Sequence, residues 1–236
     1  MTTLVMKFGG TSVGSAAAIR QAAAIILDQA ATWDHPVVVV SAMSGVTDAL
    51  TQGAVSAASG QERQYRSIVA DLRVRHYRVV DELLEANGER AALLATVDEY
   101  LDEFSSFCHS VHVLGEVTPR AMDAITSLGE RINARILAAL LRQSGARSEA
   151  VDATELIVTD ETFQNAVPLM EASRAVTSSR LAPMLAGGVI PVVTGFIGAA
   201  ASGVTTTLGR GGSDYSAAIL GDCLDADEVW TWTDVD

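Results

Sequence analysis

Lysine is almost absent from this chain. Lys7 is the only one, and the other 15 of its 16 basic residues are arginine. Positive charge as a whole is short. Twenty-nine acidic residues leave a formal net charge of -13, a field that repels nucleic acid and anionic membrane, so neither is expected as a partner. A small anionic ligand stays open, because a binding site answers to its local field. Aromatic rings make up only 5% of the 236 residues, so the core must be built from Ala, Val, Ile and Leu, which suits helices layered on a sheet. Two cysteines, Cys108 and Cys223, stand far apart outside any CxxC pattern, and point to a reducing cytoplasm. Long apolar runs are missing too. The apolar start is cut short by Lys7, so no signal peptide is expected. Residues 181 to 209 carry no charge, but Pro183, Pro191 and six glycines interrupt them, and the apolar centre "VIPVVTGFIG" is only strand-length.

What is present alternates between strand and helix. Residues 4 to 8 read as a first strand, and the Ala- and Ile-rich residues 15 to 32 as a helix lying deep against a sheet. "HPVVVVSA" at 35 to 42 is the unbroken β-branched run of a central parallel strand covered on both faces. A loop and helix follow, then two charged helical stretches, 61 to 87 and 89 to 115, separated at Asn87-Gly88 as an antiparallel pair. A helix from Pro119 to about Gln143 has proline near its first turn. A strand in "RSEAVDA", a helix over 168 to 185, a strand in "VIPVVTGF", a helix in "SDYSAAILGDCL" and a last strand in "EVWTWTDVD" complete the pattern. The order predicts an α/β domain with a mainly parallel sheet. Ending just after a strand, at Asp236, is unusual for such a fold and suggests that more chain follows.

Three strand-to-helix corners carry the chemistry: "KFGGTSVG" at 7 to 14, "SAMSGVTD" at 41 to 48 and "TTTLGRGGSDYSA" at 205 to 217. Such corners lie at the carboxyl ends of parallel strands, where ligands bind in open α/β folds. Each offers glycine backbone for close approach and opens a helix whose N-terminus favours anions. The hydroxyls of Thr11, Ser12, Ser44, Thr47 and Ser213 can cap helices or meet phosphate oxygens. Taken singly, each corner is explained by capping and turning. Three together, with a lone lysine in one and Arg210 and Asp214 in another, point to an anionic ligand. The known nucleotide fingerprints fail: no Lys-Ser/Thr follows the glycines at 9 to 14, and no GxGxxG follows a strand.

"KFGGTS", "SAMSGVTD", "SLGERINARIL", "TLGRGGSDYSA" and "WTDVD", in this order, closely resemble the catalytic domain of aspartate kinases, within the amino-acid kinase superfamily. The resemblance spans nearly the whole chain and is least specific at 61 to 115. It implies a three-layer αβα sandwich (carbamate kinase-like) over residues 1 to 236, with the helical hairpin at 61 to 115 and, by the family's pattern, further kinase-domain and regulatory chain beyond. It implies transfer of the ATP γ-phosphoryl group to the side-chain carboxylate of L-aspartate, with Mg²⁺, as the first step towards lysine, threonine and methionine. By that resemblance Lys7 and Asp214 are catalytic. Lys7, Gly9, Gly10, Thr11, Ser12, Thr233 and Asp234 face ATP, and Ser41, Thr47, Glu130, Arg210 and Ser213 face aspartate. Family members continue past "TDVD" with a Gly-Ile-x-Thr-x-Asp-Pro-Arg-like segment and a later lysine, neither of which this sequence contains. The family also assembles as dimers or larger. No metal site made of protein ligands alone is expected, although His109, His112 and Glu116 share a helix face at a spacing that could hold one. "RVRHYR" at 73 to 78 reads as a solvated helix face, and Trp230 and Trp232 as packing. Two competing readings remain: another amino-acid kinase such as glutamate 5-kinase, whose pattern is missing around "SLGER", and a catalytically silent ligand-binding or assembly module.

Overall fold

The computed structural model describes residues 1–232. Its centre is a five-stranded, wholly parallel sheet in the order β3-β5-β2-β1-β8. These strands are β1 (Thr3–Phe8), β2 (His35–Val40), β3 (Ser148–Val151), β5 (Ile190–Thr194) and β8 (Glu228–Trp232). Side chains alternate across a strand, and both faces are apolar. Leu4, Met6, Phe8, Val38, Val40 and Val192 enter one core. Val5, Val37, Val39 and Val193 enter the other. Helices α1 (Ala16–Ala30) and α6 (Leu128–Gln143) cover the first face, and α7 (Met170–Ala186) and α8 (Gly212–Cys223) the second. The three-layer αβα sandwich expected from the sequence is therefore present. The alternation also places Lys7 on the face of Val5, the face covered by α8.

Outside the sandwich, α2 (Val46–Ala58) packs on the hairpin of α3 (Glu62–Leu83) and α4 (Gly88–Leu114), which joins the first core. The Asn87 side chain caps α4 by accepting from the Arg90 N–H at 3.0 Å. Phe104 is fully buried, and truncating such a ring costs about 3–5 kcal/mol, so the hairpin is a firmly seated platform. The segment "RVRHYR" departs from a simple solvated face. Arg73 pairs with Asp98 and Asp102, Arg75 reaches two loop carbonyls, and His76 is buried with Nδ1 against the Leu72 carbonyl at 2.7 Å. Desolvation lowers the His76 pKa to about 4, so the ring is neutral at pH 7. Nearby, the His112 ring packs 6.1 Å from that of Tyr65. Among the described residues no group of three or more His, Cys, Asp or Glu side chains could hold a metal, and no helix is long and apolar enough to cross a membrane.

Two features differ from the sequence pattern. The helix expected from 119 to 143 is two, α5 (Pro119–Thr126) and α6, which meet at Ser127. The buried Ser127 hydroxyl bonds the Ala124 carbonyl at 2.7 Å, offering the backbone an alternative to a continuous ladder. A second sheet was not foreseen. Its strands, β4 (Val158–Thr159), β6 (Ile197–Ala200) and β7 (Thr205–Thr207), run in the order β4-β6-β7, with β6 parallel to β4 and antiparallel to β7. They are short and rich in Gly, Ala and Thr, so they resemble loop composition. This small sheet delivers the third glycine corner to the end of the main one.

Candidate active site

Three corners meet above the carboxyl ends of β1, β2 and β5 and enclose a cavity of about 360 Å³. Lys7 and Gly10 enter from the first corner, Ser41 to Asp48 from the second (except Val46), and Gly209 to Asp214 from the third. Glu130 reaches in from the first turn of α6, and Phe196 from the turn after β5. Of the residues assigned to aspartate or to catalysis on sequence grounds, Lys7, Ser41, Thr47, Glu130, Arg210, Ser213 and Asp214 all line this one space.

The Lys7 amine lies 2.7 Å from the Asp214 carboxylate, with the lysine side chain 6% exposed and the aspartate 56%. Asp214 sits in the first turn of α8, where the helix dipole favours a carboxylate. That helix begins at Gly211, whose φ of 75° falls in the left-handed region that costs L side chains strain. Arg210, just before it, is exposed and has no carboxylate partner among the described residues. A positive group facing the cavity without an internal counter-ion is available to an external anion.

Glu130 is the opposite case. It is buried, its Oε1 accepts from the Ala42 N–H at 3.0 Å, and its Oε2 has no partner. No cation lies within ion-pair distance of it among the described residues. Burial pushes its pKa from the ordinary 4.5 up to about 8, against the smaller opposing pull of the Ala42 N–H. The helix approaches this closely because residue 129 is glycine: a Cβ there would stand 2.8 Å from the Ala42 Cβ. The sign of the resulting pH dependence is fixed. Between 4.5 and about 8 the folded protein holds a proton on Glu130 that the unfolded chain has lost, so stability falls as pH rises through that window. The slope approaches about 1.4 kcal/mol per pH unit. Glu130→Gln removes this titration, so thermal melts of the ligand-free proteins should show the variant gaining on wild type from pH 5 to 8. A gap that stays constant with pH would place an ionised carboxylate at Glu130.

Other residues support the cavity although they were assigned no role there on sequence grounds. Asn133, one turn beyond Glu130, donates through Nδ2 to the Ser41 carbonyl at 2.7 Å, so α6 grips the single Ser41–Ala42 peptide of the second corner by both its C=O and its N–H. Buried Asp123 of α5 accepts from the Thr207 N–H at 3.0 Å, the Thr207 hydroxyl at 2.8 Å and the Gln164 N–H at 2.9 Å. It thereby fixes the end of β7, which leads into Arg210. Burial raises its pKa, partly offset by these donors. Phe196 has φ of 69°, and its N–H donates to the Ser216 hydroxyl of α8 at 2.9 Å. A non-glycine residue held there marks a backbone over-determined by its surroundings.

Of the described residues assigned to ATP alone, Gly10 lines the same cavity, whereas Gly9, Thr11 and Ser12 do not. The Gly9 N–H extends the β1–β8 ladder by donating to the Trp232 carbonyl at 2.9 Å, and the Ser12 hydroxyl donates to the same carbonyl at 3.3 Å. Thr11 and Ser12 line a separate cavity of about 300 Å³ beside Phe8 and Trp232, whose rings stack 4.9 Å apart. Thr233 and Asp234 fall outside the described residues.

A Mg²⁺ ion usually keeps several waters and takes one or two carboxylates together with substrate phosphates. Asp214 and Asp48, both on this cavity, fit such a phosphate-borne ion.

The amino acid kinase family model matches residues 2–236. The chain is 35% identical over 242 residues to aspartokinase 1, chloroplastic, of Arabidopsis thaliana, covering 99% of this chain and 40% of that protein. It is 32% identical over 238 residues to the lysine-sensitive aspartokinase 3 of Escherichia coli (strain K12), covering 98% and 49%. Among solved structures, E. coli aspartokinase III in complex with aspartate and ADP (R-state) superposes with a TM-score of 0.87 at 30% identity, covering 99% of this chain and 49% of that one. An isopentenyl phosphate kinase shares the fold alone, with a TM-score of 0.52 at 15% identity. The chain thus spans less than half the length of the two aspartokinase sequences it is compared with here.

Proposed function

Since the chain belongs to the amino acid kinase family, we propose that its cavity carries out the aspartokinase reaction, transfer of the γ-phosphoryl group of ATP to the side-chain carboxylate of L-aspartate. The observation that carries this reading is the convergence of the Lys7–Asp214 pair, the uncompensated Arg210 and the buried Glu130 on one cavity. A carboxylate nucleophile is already ionised at pH 7, so no general base is required. The difficulty lies in bringing an anion to a polyanion and in stabilising charge on the transferring group. Bound Mg²⁺ would neutralise phosphate charge. Lys7 supplies a desolvated point charge for the phosphoryl oxygens, and Asp214 holds its amine in place. Arg210 pairs through its guanidinium fork with the α-carboxylate of aspartate. Glu130 Oε2 accepts from the substrate ammonium and gives up its proton as that cation docks. The new bond joins a side-chain carboxylate oxygen to the γ-phosphorus. The bond from that phosphorus to the bridging oxygen breaks, and ADP leaves with the electron pair.

The names of the relatives support this choice of substrate, and with it a first step in lysine, threonine and methionine synthesis. Two buried cysteines outside any disulfide, with the Cys108 thiol pushed up to about 12 by burial, suit a reducing cytoplasm. Assembly as a homo-oligomer belongs to the same reading. Hydroxylamine trapping tests it: with Mg-ATP and L-aspartate, aspartyl hydroxamate should accumulate. Product with L-glutamate but none with L-aspartate would assign the cavity to a different amino-acid kinase. Product with neither would favour a silent binding module.

A further inference from the structure

We propose that Arg75, on the α3–α4 hairpin outside the sandwich, is a positioning residue that holds the Ser44–Gly45 peptide with its N–H turned towards a phosphoryl oxygen in the cavity. The proposal rests on the kinase reading for the identity of that oxygen. Its geometry comes from the loops. Arg75 Nη2 donates to the Ser44 carbonyl at 2.7 Å and, more weakly, to the Gly14 carbonyl at 3.4 Å. One guanidinium therefore straps the end of the first glycine corner to the second.

In a trans peptide the C=O and N–H point in opposite directions, and every described peptide here is trans. With the Ser44 carbonyl drawn to Arg75, the N–H of Gly45 faces the other way. Ser44 and Gly45 both line the cavity, and among the described residues nothing accepts from the Gly45 N–H. Gly45 also stands at the N-cap of α2, which has no side-chain cap, so the amide adds to the positive end of a 13-residue helix. The guanidinium polarises the same peptide from its carbonyl side. Arg73 on the same helix differs: two aspartates neutralise it, whereas Arg75 has no carboxylate partner among the described residues. Half-buried against the loops, Arg75 spends its charge on backbone carbonyls, and the hairpin becomes part of the active-site support.

The test follows the Gly45 amide in protein labelled with ¹⁵N-glycine during titration with inorganic pyrophosphate. In wild type the Gly45 resonance should shift. In Arg75→Ala the apparent Kd for that shift should rise about tenfold or more, with the other glycine resonances in place to report an intact fold. Arg75→Lys, which keeps the charge and a donor, should fall between. Arg75→Gln serves as the neutral variant if the alanine protein does not fold. A Gly45 resonance that ignores pyrophosphate in wild type, or titrates identically in the neutral variants, overturns the proposal. In the trapping assay the same variants should lose kcat while KM for aspartate holds. Absence of any trapped product in wild type would remove the kinase reading and leave the amide titration to decide the role of Arg75.

Discussion

Replacing Lys7 with methionine is expected to slow phosphoryl transfer by about 100- to 1,000-fold while leaving the protein folded, the range seen when one preorganised donor to a developing charge is removed. The large effect follows from burial. The amine lies at the end of a central strand with its side chain 6% exposed, where its field is far less screened than in water. The small structural effect follows from the same place. Methionine matches the reach of the lysine stem and belongs among the apolar neighbours on that face of β1. Asp214 keeps 56% of its side-chain surface in water, so losing its partner strands no buried charge. Rates in the trapping assay, set beside melting temperatures, check both halves. A methionine variant with near-normal kcat would remove Lys7 from the reaction. Asp214→Asn makes the complementary case, because it leaves the buried amine without its counter-charge and should cost stability as well as rate.

The second large effect is expected in substrate affinity. Arg210→Ala should raise KM for L-aspartate by about 30- to 150-fold, the equivalent of about 2–3 kcal/mol for charge-assisted hydrogen bonds to a carboxylate. The guanidinium is exposed and has no internal ion pair among the described residues, so its removal disturbs nothing else in the fold. Arg210→Lys keeps the charge but loses the planar fork, and should fall between wild type and alanine. Steady-state kinetics with aspartate varied at saturating Mg-ATP separates the two parameters. A fall in kcat at constant KM would put Arg210 on the phosphate side of the cavity.

The sheet was legible because its strands are continuous β-branched runs. "HPVVVV" has no other compact reading, and the period of two along "LVMKF" sends Lys7 to one face and Phe8 to the other. The cavity was legible in part because the three corners carry glycine and charge together. The small sheet escaped because three strands of two to four residues carry no periodicity that a loop lacks. The supports escaped for a different reason. Asp123, Asn133 and Arg75 act on backbone groups 30 or more residues away in sequence, and nothing local distinguishes them from ordinary polar residues on a helix. Gly9, Thr11 and Ser12 show the reverse. Their motif marks the corner correctly, yet the backbone directs Gly9 and Ser12 to the Trp232 carbonyl, and Thr11 and Ser12 border a different cavity.

The most direct measurement is a crystal structure of the protein grown with L-aspartate. The account predicts the amino acid inside the cavity of Lys7 and Glu130, its ammonium about 3 Å from Glu130 Oε2 and its α-carboxylate on the Arg210 guanidinium. Aspartate lodged instead in the second cavity beside Phe8 and Trp232, or bound with its ammonium facing Arg210, would contradict it.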